Sequence, residues 1–525
     1  VTAVGAVACG HPATAAAAQE ILEDGGNAFD AALAALCAAT VAEPVLCSLG
    51  GGGFLLARRA DGSATLYDFF VETPLRRRPT AELDFYPILA DFGTATQEFH
   101  IGLGACATPG LIKGLFAAQA ELCRLPMTRL VAPAVRMARE GLILRPVDGY
   151  LFQVVSPILV ARPEGRARFA TEAGTPLGSG AVLRQPELAA TLEALAREGA
   201  DLFYAGELGR RLVSDCATEG GQITAQDLAH YRAVRRAPLM RDYRGTRILT
   251  NPPPSSGGIL IAFALALLVG EDVAAGGFAT PATLRRLAQV MALTNRARIE
   301  TRLHEALETA GADDADACAA TARLLDPALL ARYAAEVRGH PATARGTTHI
   351  SVIDGAGNVA ALSTSNGEGC GYLLPDSGIM LNNMLGEEDL NPGGFHTWPE
   401  ACRISSMMAP TVAERPDGSL VALGSGGSNR IRTAILQVLL NLIDFALPVA
   451  EAVNAPRLHF ERGIANLEGG LADETAAALA ESAEQVIAWP PHNLFFGGVH
   501  GVTRSATGVF DAAGDPRRGG ATLIV

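Results

Sequence analysis

The pattern of the chain changes at Thr347. A long, mostly helical stretch precedes it, and short strands punctuated by glycine turns follow it. Over 348–353 the side chains alternate: His349, Ser351 and Ile353 point one way, and Thr348, Ile350 and Val352 the other, which predicts a strand. Residues 355–358 (Gly-Ala-Gly-Asn) predict a hairpin turn, with 359–362 as the partner strand. A threonine inside a chain is a poor nucleophile. One that begins a chain differs, because its own α-amine can take the hydroxyl proton. Taken alone, Gly346-Thr347-Thr348 also reads as an ordinary strand start.

At 525 residues the chain is long enough for three or four domains and a large core. With 49% hydrophobic residues, 57 glycines and only 18% charged residues, it reads as a finely packed enzyme and not as a disordered or fibrous chain. The formal charge is −13, and no helix carries a basic cluster; Arg76-Arg77-Arg78 reads as a solvated turn. Nucleic acid is therefore not an expected partner. The longest apolar runs, 259–270 and 435–443, are too short to span a bilayer, so no membrane partner is expected. Nine cysteines lack any CxxC pair, which fits reduced, buried thiols. No basic n-region opens the sequence, and a cytoplasmic location is the expectation, although an export signal removed earlier would leave the same sequence. Neither HxxxH nor HExxH occurs, nor a loop of alternating carboxylates, so no metal and no cofactor are expected.

Residues 13–25 predict a helix and 28–42 a second, alanine-rich one, with Asp30 in its first turn at the positive end. Residues 54–58 and 64–69 predict strands. The stretch 110–345 reads as mostly helical, with turns at Pro133, Gly141, Gly199 and Gly206, and 303–346 as a polar linker to Thr347. Beyond it, helices are predicted near 430–446 and 470–487, a strand pair within 499–510, and a strand at 521–525 closing that sheet. Helices around a two-sheet core give an α+β class.

The segments HPATAAAAQEILEDGGNAFDAALAA (11–35), SLGGGGFLLARR (48–59), TPGLIKG (108–114), GGQITAQDLAHY (220–231) and NPPPSSGG (251–258) precede the threonine. After it come TTHISVIDGAGN (347–358), RISSMMAPT (403–411), LGSGGSNRIRTA (423–434) and DPRRGG (515–520). This ordered set closely resembles the gamma-glutamyltransferase family of N-terminal-nucleophile hydrolases. The resemblance implies a four-layer αββα sandwich and a precursor that cleaves itself between Gly346 and Thr347. The products would be a large subunit, 1–346, and a small catalytic subunit, 347–525, intertwined in one fold that can pair again as a homodimer. Thr347 would be the nucleophile. Ser365 matches the family's second hydroxyl residue, usually threonine, though a serine there would also cap the turn into Asn366-Gly367. His349 is expected to pack or hydrogen-bond and not to act as base. The glycine-rich 424–429 stretch before a helix start suits an oxyanion, and the family motif puts the donors at Gly427 and Ser428. Ser428 stands where the family usually has a second glycine. A phosphate loop is the rival reading, but no Lys-Ser/Thr follows the glycines.

The resemblance places substrate contacts at Asn366, Glu387, Ser405 and Ser406. Two positions depart from the family. Val71 falls at or next to its substrate-binding arginine, with Arg76 or Arg403 as candidate substitutes, and Met384 replaces a glutamine. The segment between Glu387 and Ser405 is shorter than one that forms a lid. The implied function is a gamma-glutamyl hydrolase and transferase acting on glutathione-like amides through a Thr347 acyl-enzyme, with hydrolysis favoured. A glutaryl or other dicarboxylic amide acylase, as in related cephalosporin acylases, is the alternative. An inactive binding protein on the same scaffold is the third.

Overall fold

Two antiparallel sheets lie face to face in the computed structural model, which describes residues 3–91, 96–301, 303, 315–336, 347–391 and 393–525. The first has seven strands in the order Ala521–Ile524, Gly5–Cys9, Thr348–Asp354, Val359–Ser365, Gly52–Arg58, Ala64–Phe69 and Val234–Arg236. The second has six: Phe510–Ala513, Gly498–Arg504, Leu420–Gly426, Thr411–Glu414, Thr246–Thr250 and Leu239–Tyr243. Each sheet draws strands from both sides of residue 347.

The alternation read along 348–353 decides what each face meets. Ile350 and Val352 pack with the helices Pro12–Glu23 and Ala28–Ala42, whereas Ile353 joins the core between the sheets. All fifteen residues of Ala28–Ala42 are buried, and their small side chains suit close packing on the sheet. Asn27 caps this helix by accepting from the Phe29 and Asp30 N–H groups, and the Asp30 carboxylate accepts from the Asn27 N–H in return. On the far side, the apolar runs that are too short for a membrane form the buried helices Gly257–Leu268 and Arg430–Ile443. The result is the expected α+β sandwich of four layers, αββα.

Several expectations need correction. The stretch 110–345 also contains the edge strands Val234–Arg236 and Leu239–Tyr243, and Thr246–Thr250, which pairs Leu239–Tyr243 to the rest of the second sheet. The helix predicted over 470–487 is confined to Asp473–Ala480, and Gln485–Trp489 is a strand pairing in parallel with Ile464–Glu468. The last strand, Ala521–Ile524, closes the first sheet beside Gly5–Cys9, not the sheet holding Gly498–Arg504. Within the expected linker, Ala315–Leu324 and Pro327–Glu336 are helices. Gly346 and the rest of 337–346 lie outside the described residues. Among the described residues no helix is long and apolar enough to cross a membrane, and no cluster of His, Cys, Asp or Glu could hold a metal ion.

Candidate active site

Thr347 stands immediately before the central strand Thr348–Asp354 and is 4% exposed. Thr348 pairs with Thr364, so the register sets Thr347 opposite Ser365 at the end of the neighbouring strand. Both residues line one cleft of about 510 Å³. The two readings of Ser365 are both present in the geometry: it lines the cleft, and its Oγ accepts the Gly367 N–H at 3.0 Å. Two glycines frame the pair. A Cβ on Gly51 would come within 2.4 Å of the Ser365 carbonyl oxygen, and one on Gly426 within 1.7 Å of the Thr347 carbonyl oxygen. Neither site has room for a side chain.

The residues behind the nucleophile are buried and hydrogen-bonded. The Thr348 hydroxyl donates to Glu43 Oε2 at 2.7 Å, and that of Thr14 to Oε1 at 3.1 Å. Burial pushes the Glu43 carboxyl above its ordinary pKa, against the pull of His11 and these two hydroxyls. Sequence reasoning missed Glu43. Its signal was a carboxylate at the C-cap of Ala28–Ala42, the end of a helix that disfavours negative charge. His349 lies between the sheets, with Nδ1 2.8 Å from Ser363 Oγ and Nε2 2.9 Å from Ser351 Oγ. Burial, with His500 nearby, holds its pKa well below the ordinary value. It packs and hydrogen-bonds, as expected of a residue that is not the base.

The strand Leu420–Gly426 leads through Gly427 and Ser428 into the helix Arg430–Ile443. Gly427 has φ 119°, and a Cβ there would approach the Gly497 Cα to 2.9 Å. Ser428 has φ 48°, the left-handed region in which a side chain is strained. That explains why glycine is usual here. In this chain the Ser428 hydroxyl donates to Asp389 Oδ2 at 2.8 Å, and both residues line the cleft. Asp389 was also missed; the clue is the serine, which needs a partner to hold it in that conformation. Arg298, lowered to about 10 chiefly by burial, feels the Asp389 charge from the helix Pro281–Glu300. The 515–520 motif lies beside the same loop through Arg518, whose guanidinium nitrogens come within 3.4 Å of a Cβ built on Gly426 or Gly427. Asp515 pairs with Arg457 at 2.7 Å and Arg517 at 3.2 Å, and its Oδ2 accepts the Val499 N–H.

The recognition side is partly as expected. Glu387, Ser405 and Ser406 line the cleft with Met384, Phe70, Leu390, Met407, Met408 and Ile431. Asn366 does not. It is fully buried behind the wall, and neither amide atom has a described partner. Val71 is fully buried in the core between the sheets. Neither candidate arginine replaces it on the cleft wall. Arg76 is exposed at the surface. Arg403 pairs with Asp68 at 3.0 Å and Glu72 at 2.9 Å, and also donates to Tyr231 and to the Phe70 and Arg232 carbonyls. Among the described residues no arginine or lysine lines this cleft.

A sandwich of two antiparallel sheets between helices, with a cleft at the head of a central strand, is the fold of the N-terminal-nucleophile hydrolases. The chain belongs to the gamma-glutamyltranspeptidase family, whose family model matches residues 14–525. It is 34% identical to the acylase ACY 1 proenzyme of Pseudomonas sp. (strain V22), over 99% of this chain and 93% of that one. It is 32% identical to the glutathione hydrolase proenzyme of Escherichia coli (strain K12), over 89% of this chain and 83% of that one. In fold it is similar to the cephalosporin acylase of Bacillus halodurans, with a TM-score of 0.83, 24% identity, and coverage of 99% of this chain and 96% of that one. The protein is an amidohydrolase or acyltransferase.

Proposed function

We propose that the protein cleaves itself after Gly346 and then hydrolyses amides through an acyl-enzyme on Thr347. In maturation the Thr347 hydroxyl attacks the Gly346 carbonyl, the amide shifts to an ester, and water frees residues 1–346 and the Thr347 α-amine. That amine, with an ordinary pKa of about 7.7–8.0, then serves as base. It takes the hydroxyl proton as Thr347 Oγ attacks the substrate carbonyl, and delivers it to the departing amine. The same amine activates the water that releases the acid. Ser365 assists the proton transfer, and the Gly427 and Ser428 N–H groups hold the oxyanion. The proenzyme names of the relatives support this route. Intact mass and N-terminal sequencing should show a chain 347–525 beginning TTHISV, and Thr347→Ala should lose both that chain and all hydrolysis. An uncleaved chain that turns over substrate would refute the mechanism.

For the acyl group we infer γ-glutamyl, with hydrolysis favoured over transfer because the segment after Glu387 is short. The carrying observation is Glu387 on the cleft wall, a carboxylate suited to the α-ammonium, together with Ser405 and Ser406. A dicarboxylic acyl group is the second reading, favoured by the apolar wall of Phe70, Met384, Met407, Met408 and Ile431. γ-Glutamyl and glutaryl anilides differ only in that ammonium, so their rates, with and without a dipeptide acceptor, separate the two. A γ-glutamyl preference of less than about a hundredfold, lost in Glu387→Gln, is expected. A glutaryl preference would establish the second reading.

A further inference from the structure

The two adjacent arginines of the 515–520 motif have opposite surroundings. Arg517 is fully committed: it pairs with Glu468 at 2.5 Å and Asp515 at 3.2 Å, and donates to the Val453 and Ala455 carbonyls. Arg518 is 9% exposed, yet its guanidinium makes no hydrogen bond and no ion pair among the described residues. Burial pulls its pKa below the ordinary value, and the charges of Glu368, Asp515 and Glu43 act on it only from a distance. Buried charges are ordinarily paired, because an unpaired one has given up its hydration with no return. Arg518 borders a cavity of about 410 Å³ that shares no wall residue with the catalytic cleft. Of its three nitrogens only Nε is sealed, so the two terminal ones keep access. The other charged groups on the cavity wall are already satisfied. Arg145 donates from Nε and Nη2 to Asp148 and from Nη1 to the Gly519 carbonyl, and the two Glu43 oxygens accept the Thr14 and Thr348 hydroxyls. Most of the remaining wall is apolar, with Val45, Leu46, Leu151, Phe152 and Leu494.

We propose that this cavity binds a short monocarboxylate with an apolar chain, its carboxylate on Arg518 and its chain on the apolar wall. A guanidinium presents parallel donors that match the two oxygens of a carboxylate. One unpaired cation calls for one negative charge. Asp148 and Glu43 on the same wall disfavour a second, which rules against phosphates and dicarboxylates. An ammonium would bring a second cation beside Arg518 and leave both unpaired. The chain length is set by the cavity, because each methylene that leaves water for the apolar wall adds to affinity until the space is filled. The site is separate from the acyl chemistry at Thr347 and does not depend on it. It nonetheless lies behind the catalytic residues: the Arg518 guanidinium stands beside Gly426 and Gly427, and Glu43 holds Thr348.

The test is calorimetry on the purified protein, which reads binding and needs no turnover. Hexanoate is compared with hexanol and hexylamine, which keep the chain and change the head, and with acetate and inorganic phosphate, which lack the chain. Hexanoate should bind roughly tenfold or more tightly than each of the others. Arg518→Met keeps the bulk of the side chain and removes its donors, and should bring hexanoate down to the level of hexanol, a loss of roughly tenfold. Arg518→Lys should restore part of that loss. Leu151→Trp tests the same cavity without touching the turn at Gly427: the larger ring occupies the apolar end and should weaken hexanoate roughly tenfold as well. Melting temperatures of both variants are recorded so that binding is scored on folded protein. Hexanoate no tighter than hexanol, phosphate tighter than hexanoate, or a hexanoate affinity that either Arg518→Met or Leu151→Trp leaves unchanged would overturn the proposal.

Discussion

The two ends of the cleft are built from different kinds of backbone. At the nucleophile end, Thr347 and Ser365 sit on paired strands, and Gly51 and Gly426 press against their carbonyl oxygens. At the acyl end, Met384, Glu387, Ser405 and Ser406 sit on short turns and irregular segments. Strand register leaves little freedom, so the first end tolerates few substitutions. Loops change side chains without moving the sheet, and this is the end where the chain departs from its family.

The sharpest way to break the contrast is Gly426→Ala. The new Cβ would fall 1.7 Å from the Thr347 carbonyl oxygen, so the strand end must move. A displacement of that kind at a reacting group costs about a hundredfold in rate, read as kcat on the mature enzyme with thermal stability measured alongside. Wild-type kcat would mean the nucleophile end is as adaptable as the acyl end. Ser365→Ala is the next largest. If its hydroxyl carries a proton in the acylation step, the rate falls roughly tenfold or more. The turn-capping bond to Gly367 contributes only to stability, so an unchanged rate with a lower melting temperature would reduce Ser365 to a cap. Processing must be scored separately by mass.

This difference also explains what was legible in the sequence. The strand alternation around Thr347, the hairpin after it and the helix Ala28–Ala42 follow local rules, and each is present with boundaries close to those read from the residues. The expected oxyanion turn ends a strand and begins a helix for the same reason. Arg403 was not legible. Its partners Asp68 and Glu72 lie 335 and 331 positions away, and only the pairing of strands brings them together. Asn366 failed in the same way: proximity to Ser365 in sequence put it near the site, but the turn faces it inward, behind the cleft. The strands Leu239–Tyr243 and Thr246–Thr250 were hidden within a helical stretch because they are a short hairpin at a sheet edge, with Met240 and Arg247 exposed.

The buried polar layer beneath the nucleophile makes a prediction about pH. His349 is neutral in the fold, its pKa held well below the ordinary value by burial, and His500 is lowered to about 4 by the same cause. The unfolded chain takes up protons on these residues near pH 6.5 while the fold does not. Their contribution to stability is therefore complete above about pH 6.5 and declines as the pH falls below it, by up to about 1.4 kcal/mol per pH unit for each histidine. Thermal midpoints between pH 7.5 and 5 should fall accordingly, with a shallower slope in His349→Gln. An equal slope in that variant would show that His349 takes up its proton in the fold at the same pH as in the unfolded chain.

The smallest effect tests a contact that ties the two ends together. Ser428 belongs to the oxyanion turn and Asp389 to the acyl side, and the 2.8 Å bond between them holds a serine at φ 48°. The conformation costs about 1–2 kcal/mol relative to glycine, and a hydrogen bond to a carboxylate returns about 1.5–3 kcal/mol. The two nearly cancel, so Ser428→Gly should change kcat by less than about fivefold. Asp389→Asn weakens the bond while the strain remains, and should lower kcat more than Ser428→Gly does, at nearly constant KM. In the Ser428→Gly background the same aspartate change should cost less, because there is no hydroxyl left to hold. A double-mutant cycle gives this coupling directly. Additive effects would mean that Asp389 acts on substrate and not on the turn, and the two ends of the cleft would then be energetically separate.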